Sequence, residues 1–230
     1  MKLLCVIPAR RGSKRLPLKN ILPLAGIPMI AHTINAAINS DVFNEVIVST
    51  EDQEIADISK KFGADCYIRS NELAGDLVSA TDVCLDVSKN LDPDKKKYDS
   101  IVCLQPSSPL RSSKDIKLSV EHFYKTQANY LVSVTPIDPH YFHWAVYENE
   151  NKWKMYFNNK YMMERPLLPP VFRPNGAIKM GRINALEETH NFFGEGLETY
   201  LMPEERSIHV AEQFDYELAE FLLSKEEIKL

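Results

Sequence analysis

Residues 8–20, Pro-Ala-Arg-Arg-Gly-Ser-Lys-Arg-Leu-Pro-Leu-Lys-Asn, gather five cations, Arg10, Arg11, Lys14, Arg15 and Lys19, in a chain of net charge -5. The apolar run Leu3-Leu4-Cys5-Val6-Ile7 precedes them directly and reads as a buried strand. Ligands of α/β sheets bind at the carboxyl ends of strands, so cations displayed there point to an anion site. Gly12 and Ser13 let backbone N–H groups turn inward as a nest for phosphate oxygens. A basic run alone reads as a solvated loop or a nucleic-acid patch. The strand before it and the Gly-Ser turn inside it favour the anion site. The loop has neither Gly-x-x-x-x-Gly-Lys-Ser/Thr nor Gly-x-Gly-x-x-Gly, which withdraws support from a Walker A or a dehydrogenase-type site. A longer basic loop that can wrap a triphosphate suits transfer at phosphorus. Catalysis there is positioning plus cationic stabilisation of charge on phosphate oxygens and on the leaving pyrophosphate.

Two further segments carry polar groups into the same kind of place. In Leu104-Gln105-Pro106-Ser107-Ser108-Pro109-Leu110-Arg111, two prolines stiffen a loop after a strand, and Gln105 offers a donor and an acceptor. The same stretch also reads as a plain strand-to-helix connection, with Ser112 or Ser113 as N-cap. In Phe172-Arg173-Pro174-Asn175-Gly176-Ala177-Ile178, an Arg and an Asn enter an apolar strand. Arg173 and Arg165 can fork onto a carboxylate, or pair with acidic groups across an interface; residue types alone leave both open.

The elements that must hold these loops alternate. Strands are expected at Leu3–Ile7, Glu45–Ser49, Cys66–Arg69, Ser100–Leu104 and Tyr130–Val134. Helices are expected at Met29–Asn39, after Thr50 (with Thr50 and Gln53 as a capping box and Gly63 as a stop), at Ser79–Leu91 and at Ser113–Thr126. This predicts an α/β chain with a doubly wound, mostly parallel sheet over residues 1–135. The pattern breaks over residues 136–170, where Tyr141, Phe142, Trp144, Tyr147, Trp153, Tyr156 and Phe157, then Tyr161, suggest an antiparallel excursion, either a lid or a dimerisation arm. The core then resumes with a strand at Gly176–Met180, a helix near Arg182–His190, a strand at Glu198–Met202 and a last helix from Asp215 to about Leu223. The run Asp94-Lys95-Lys96-Lys97 reads as a solvated turn.

A chain of 230 residues suits one sizeable α/β domain, residues 1–230, with a small insertion, and 44% apolar residues suffice for an unstapled core. No run reaches the length of a membrane span, and the first apolar stretch is too short for a signal peptide, so the cytoplasm is expected and no membrane partner. Cys5, Cys66, Cys84 and Cys103 lack ligand spacing and read as free thiols packed in the interior, not a zinc site.

Taken in order, the three segments resemble the acylneuraminate cytidylyltransferase family, the CMP-sialic acid synthetases. That family opens on Ala-Arg-x-x-Ser-Lys-x-x-x-x-Lys-Asn, matched by Ala9, Arg10, Ser13, Lys14, Lys19 and Asn20. Ile47-Val48-Ser49-Thr50-Glu51-Asp52 is similar to its second strand and turn. Arg69 with Glu72-Leu73-Ala74 matches its Arg-Pro-x-Glu-Leu-Ala, with Ser70 for the proline. Gln105–Arg111 and Arg173–Ile178 match closely, and the likeness spans nearly the whole chain. It implies a Rossmann-like nucleotidyltransferase joining CTP to an acidic nine-carbon 2-keto sugar, with no nucleic-acid partner. Arg10, Ser13, Lys14 and Lys19 would hold the triphosphate, with Arg10, Lys14 and Lys19 acting on the transferring phosphate. Asn20 would shape the loop. Arg69, Ser79 and Ala80 would line the cytidine side, and Gln105, Arg165, Arg173, Asn175, Phe192 and Phe193 the sugar side. The resemblance further implies Mg²⁺ as cofactor and a homodimer built through residues 136–170.

Three departures stand out. Lys179 replaces a Tyr, and His140 and His143 stand near a family Lys. The family's Ser-Ile-Asp-Ile-Asp, whose aspartates hold Mg²⁺, becomes Ser207-Ile208-His209-Val210-Ala211. Glu212 and Asp215 lie close enough to substitute, although Asp215 also suits the start of the last helix. The missing pair keeps open a non-catalytic nucleotide- or sugar-binding relative, and the residues also allow a different sugar nucleotidyltransferase.

Overall fold

The computed structural model describes residues 2–157 and 162–225. The first strand, β1 (Leu3–Pro8), is fully apolar up to its end and buried on both faces. Leu3, Cys5 and Ile7 point into one core, and Leu4 and Val6 into the other. A two-residue ribbon, β2 (Pro23–Leu24) with β3 (Ile27–Pro28), leads into α1 (Met29–Asn39), whose bounds are those expected from its four-residue spacing. Next come β4 (Glu45–Thr50), α2 (Gln53–Lys61), β5 (Asp65–Ile68), α3 (Ala80–Leu91), β6 (Ser100–Cys103), α4 (Ser113–Lys125) and β7 (Tyr130–Ile137). Ile30, Ile34, Ile55, Ile116, Val120 and Phe123 of α1, α2 and α4 cover one face; Cys84 and Val87 of α3 cover the other.

The arm holds a short helix, α5 (Pro139–His143), and a hairpin, β8 (Val146–Asn149) with β9 (Lys152–Met155). Phe142 stacks on Phe157 at 4.2 Å, and Tyr141 and Trp153 stand 82% and 69% exposed. Tyr161, counted among the arm's aromatics, lies outside the described residues. The chain returns through β10 (Val171–Arg182), α6 (Ile183–Thr189), β11 (Leu197–Leu201) and α7 (Gln213–Ser224). Ile183 and Leu186 of α6 join α3 on its face of the sheet.

The seven strands lie in the order β11-β7-β10-β6-β1-β4-β5. All run the same way except β10, which is antiparallel to both β6 and β7. The doubly wound, mostly parallel sheet is therefore present, with two corrections. The late strand begins at Val171, not Gly176, because Phe172–Pro174 is already extended and pairs with the end of β7, Arg173 opposite Thr135. A bulge then separates Pro174 from Lys179, and Gly176 sits in it at φ +75°, a conformation that glycine adopts without strain. The α2 cap is Asp52, not the Thr50/Gln53 box. Its carboxylate accepts from Ile55 N at 2.9 Å, and a charge at the helix N-terminus outcompetes a hydroxyl. Ser112 caps α4 in a reciprocal box with Asp115, and the Asp94–Lys97 run is an exposed turn. The four cysteines are free, with Cys66 only partly covered. No helix among the described residues is long and apolar enough to cross a membrane.

Candidate functional site

The basic loop leaves the carboxyl end of β1 and is tied down there, Ala9 N donating to Ser49 O at 2.9 Å. Asn20 is buried and donates to the Arg10 carbonyl at 2.8 Å, closing the loop on itself. Leu16 anchors its middle in a third apolar cluster with Leu24, Met29, Leu110, Val210 and Ala219, which also fastens α7 to this end of the sheet. The five cations then separate. Arg10 and Lys14 converge on Asp76, at 2.7 and 2.5 Å, and together hold its carboxyl below the ordinary value. Arg11 turns away to Asp52 and Glu54, and Arg15 faces Glu212 at 3.4 Å. Lys19 points inward and donates to the Val210 carbonyl at 2.8 Å. Burial, then Arg15 and Arg10, lower the pKa of its ammonium.

Two adjoining cavities open over the ends of β1 and β6, sharing Pro8, Arg10 and Gln105. One, of about 150 Å³, is lined by Gly12, Ser13, Lys19 and Asn20. The other, of about 220 Å³, is lined by Arg69, Asp76, Ser79 and Ala80. Arg69 is buried and pairs with Glu51 at 2.9 Å, while its Nε has no hydrogen-bond partner among the described residues. Ser79 caps α3, its Oγ accepting from Asp82 N and donating to the Asp82 carboxylate. The first cavity thus joins cations to a loop of backbone donors, as a polyphosphate requires. The second is a polar recess beside a helix N-terminus.

Gln105 is held by a residue outside the expected set. Arg111 is fully buried; it donates to Ala177 O at 2.8 Å, to Thr33 Oγ1 at 3.0 Å and to the Gln105 carbonyl. Burial pushes its pKa down to about 10. One guanidinium thus ties the loop after β6 to β10 and α1. The signal was an Arg closing a Pro-rich loop with no other charged residue, but its three partners lie 6, 66 and 78 residues away. Asp76 and Glu51, which set the Arg10, Lys14 and Arg69 side chains, also escaped a reading based on cations.

Other expected residues stand elsewhere. Asn175 does not face a ligand: it is buried, donating to Ser207 Oγ at 2.8 Å and accepting from Ala177 N at 3.0 Å and from Ser133 Oγ. It braces the bulge of β10, since an amide at a backbone irregularity satisfies groups the ladder leaves unpaired. Phe192 is 2% exposed in the core beneath α6, because apolar burial claims a large ring. Phe193 is exposed, and neither lines the two cavities described above. Arg165 pairs with Asp138 at 3.0 Å within the arm. Arg173 is exposed on β10 and has no ion pair among the described residues.

The ground for a metal is poor. Asp215 accepts from Ala211 N and Glu212 N at 2.8 and 2.9 Å, so it caps α7 and does not stand free as the expected ligand. A carboxylate at N3 of a helix is stabilised by exposed amides and the macrodipole. No group of three or more His, Cys, Asp or Glu suited to a metal occurs among the described residues. His209 places Nδ1 3.4 and 3.3 Å from Ser107 and Ser108 Oγ. Burial and then Lys19 push its pKa down to about 4, leaving a neutral imidazole. Mg²⁺ prefers octahedral oxygen donors, and this donor set does not fit it.

The chain is similar to known proteins over nearly its whole length. The cytidylyltransferase family model covers residues 4–190. The chain is 32% identical over 224 residues to a pseudaminic acid cytidylyltransferase of Campylobacter jejuni subsp. jejuni serotype O:23/36 (strain 81-176), covering 96% of each. It is 32% identical over 235 residues to the CMP-N,N'-diacetyllegionaminic acid synthase of Legionella pneumophila subsp. pneumophila (strain Philadelphia 1), covering 97% of each. The structure of a CMP:2-keto-3-deoxy-manno-octonic acid synthetase complexed with CTP superposes with a TM-score of 0.75 at 19% identity, over 98% of this chain and 100% of that one, a likeness of fold.

Proposed function

The chain belongs to the cytidylyltransferase family, and from that premise we propose that it activates a nonulosonic acid with CTP, giving a CMP-sugar and pyrophosphate. One observation carries the reading: Arg10, Ser13, Lys19 and Gln105 surround one cavity, and it opens into the recess of Arg69, Ser79 and Ala80. The triphosphate occupies the first and the cytidine the second. The sugar's anomeric hydroxyl attacks the α-phosphorus, its O–P bond forms, and the bond to the leaving pyrophosphate breaks. Lys19 is fixed before the ligand arrives, so stabilising the developing charge costs little reorganisation. Arg10 and Lys14 exchange Asp76 for phosphate oxygens. Mg²⁺ accompanies the triphosphate, whose hard oxygens suit it.

Arg173 meets the acceptor's carboxylate. Its lack of an ion pair among the described residues supports this, as do two relatives named for pseudaminic acid and N,N'-diacetyllegionaminic acid. The exposed rings of Tyr141, Trp144 and Trp153 support a homodimer in which the arm packs on a second copy. Light scattering at micromolar concentration should give the dimer mass; monomer alone removes this part of the reading. Free thiols suit the reducing cytoplasm, where we place the reaction. Pyrophosphate release, screened with CTP and other triphosphates against pseudaminic, legionaminic, sialic and octulosonic acids and a sugar phosphate, tests the whole. Turnover should need CTP and a sugar acid. Equal rates with neutral sugars or sugar phosphates would defeat it.

A further inference from the structure

Segment 207–211 lies beyond the residues matched by the family model and touches two residues that line the first cavity, Lys19 and Ser107. Both its ends are fastened. Ser207 is fully buried, accepting from Asn175 and donating to Pro203 O at 2.7 Å. Val210 is fully buried, and its N–H donates to Ser107 O at 2.7 Å. Its carbonyl is the acceptor for the Lys19 ammonium. Between these anchors the His209 ring rests on the bulge of β10: a Cβ at Gly176 would come 3.3 Å from its Nδ1 and 3.2 Å from Gln105 Oε1.

Lys19, Lys179 and Arg15 disfavour a further positive charge on His209, and Asp215 favours one. Asp215 spends one oxygen on two backbone amides, and Glu212 lies beside Arg15. The Ala211 side chain carries no atom that could ligate a cation. A divalent ion at this spot would meet an ammonium, a guanidinium and a neutral ring, and the two nearby carboxylates, Asp215 and Glu212, are already engaged by backbone amides and by Arg15.

We infer that segment 207–211 seats an ammonium in place of a divalent cation: it anchors Lys19 through the Val210 carbonyl, and the protein binds no divalent ion of its own, so any such ion enters on the nucleotide. The inference concerns the nucleotide-free cleft and leans on the proposed activity only for what arrives there. It also makes the Lys19 charge a permanent part of the cavity.

Mn²⁺ titrated into nucleotide-free protein, followed by the ring-proton signals of His209 in NMR and by the free-ion EPR signal, tests this. The His209 signals should stay sharp without nucleotide and broaden once CTP is added with Mn²⁺. Broadening of His209 by Mn²⁺ alone overturns the inference. A His209→Asp/Ala211→Asp double variant should gain one bound Mn²⁺ without nucleotide; a folded variant that gains none also overturns it. If that variant fails to fold, the wild-type titration still decides. If CTP does not bind, the proposed function fails, while the nucleotide-free result still decides the cation site.

Discussion

Replacing Arg111 by Met keeps most of the apolar stem and removes the guanidinium that three elements share. Ala177 O, Thr33 Oγ1 and the Gln105 carbonyl then lose their donor, and Ala177 and Thr33 have no exposed surface through which water can replace it. A buried polar group left unpaired costs about 1–3 kcal/mol. Against this, the burial that drives the Arg111 pKa down to about 10 is relieved, because no ionic group remains there. Removing a buried charge while leaving its partners in place is a net loss, which we set at about 3 kcal/mol. For a chain of this size, each kcal/mol lowers Tm by about 2–4 °C, so Arg111→Met should melt about 6–12 °C below wild type. Arg111→Lys should also melt low, since one ammonium cannot reproduce a planar fork onto three acceptors. Loss of the tether on Gln105 should additionally raise KM for the sugar acid below the melting range. Circular dichroism melts and pyrophosphate-release kinetics read both effects. If Arg111→Met melts within about 2 °C of wild type with unchanged KM, the guanidinium does not hold the loop and the account of this end of the sheet is wrong.

Lys19→Ala should lower kcat by about 10²–10³-fold, the usual loss for one donor facing developing charge. Far-UV circular dichroism should be unchanged, and near-normal turnover in a folded variant removes Lys19 from the reaction. His209 titrates near 6.5 in the unfolded chain but about 4 in the fold, so the unfolded state binds more protons between these values. Its contribution is present above pH 6.5 and is lost as pH falls towards 4, by roughly 2–3 kcal/mol. Urea midpoints at pH 7 and 4.5 should therefore fall further for wild type than for His209→Gln, and equal falls contradict the buried neutral ring. Arg173→Lys should raise KM for the sugar acid and leave KM for CTP near wild type; a larger effect on CTP moves Arg173 to the nucleotide side.

Contiguous patterns were legible in the sequence. The alternation of apolar runs with four-residue spacing marked every element of the parallel core. Met29–Asn39 was legible from the four-residue spacing of Ile30, Ile34 and Ile38, a period that the helix itself sets. The basic loop and Gln105 were legible for the same reason: each follows a strand directly, and ligands gather where strands end. Tertiary structure alone decided which polar groups were free to act. Asn175 and Asp215 have suitable chemistry, yet one braces a bulge and the other caps a helix. Phe192 went to the core, Arg165 to Asp138, and β10 slid antiparallel between β6 and β7. Each choice is a competition among partners tens of residues apart, settled by burial and by the cost of leaving any buried donor or acceptor unmet. Spacing along a chain encodes the period of its own helix or strand, but not the identity of a distant partner.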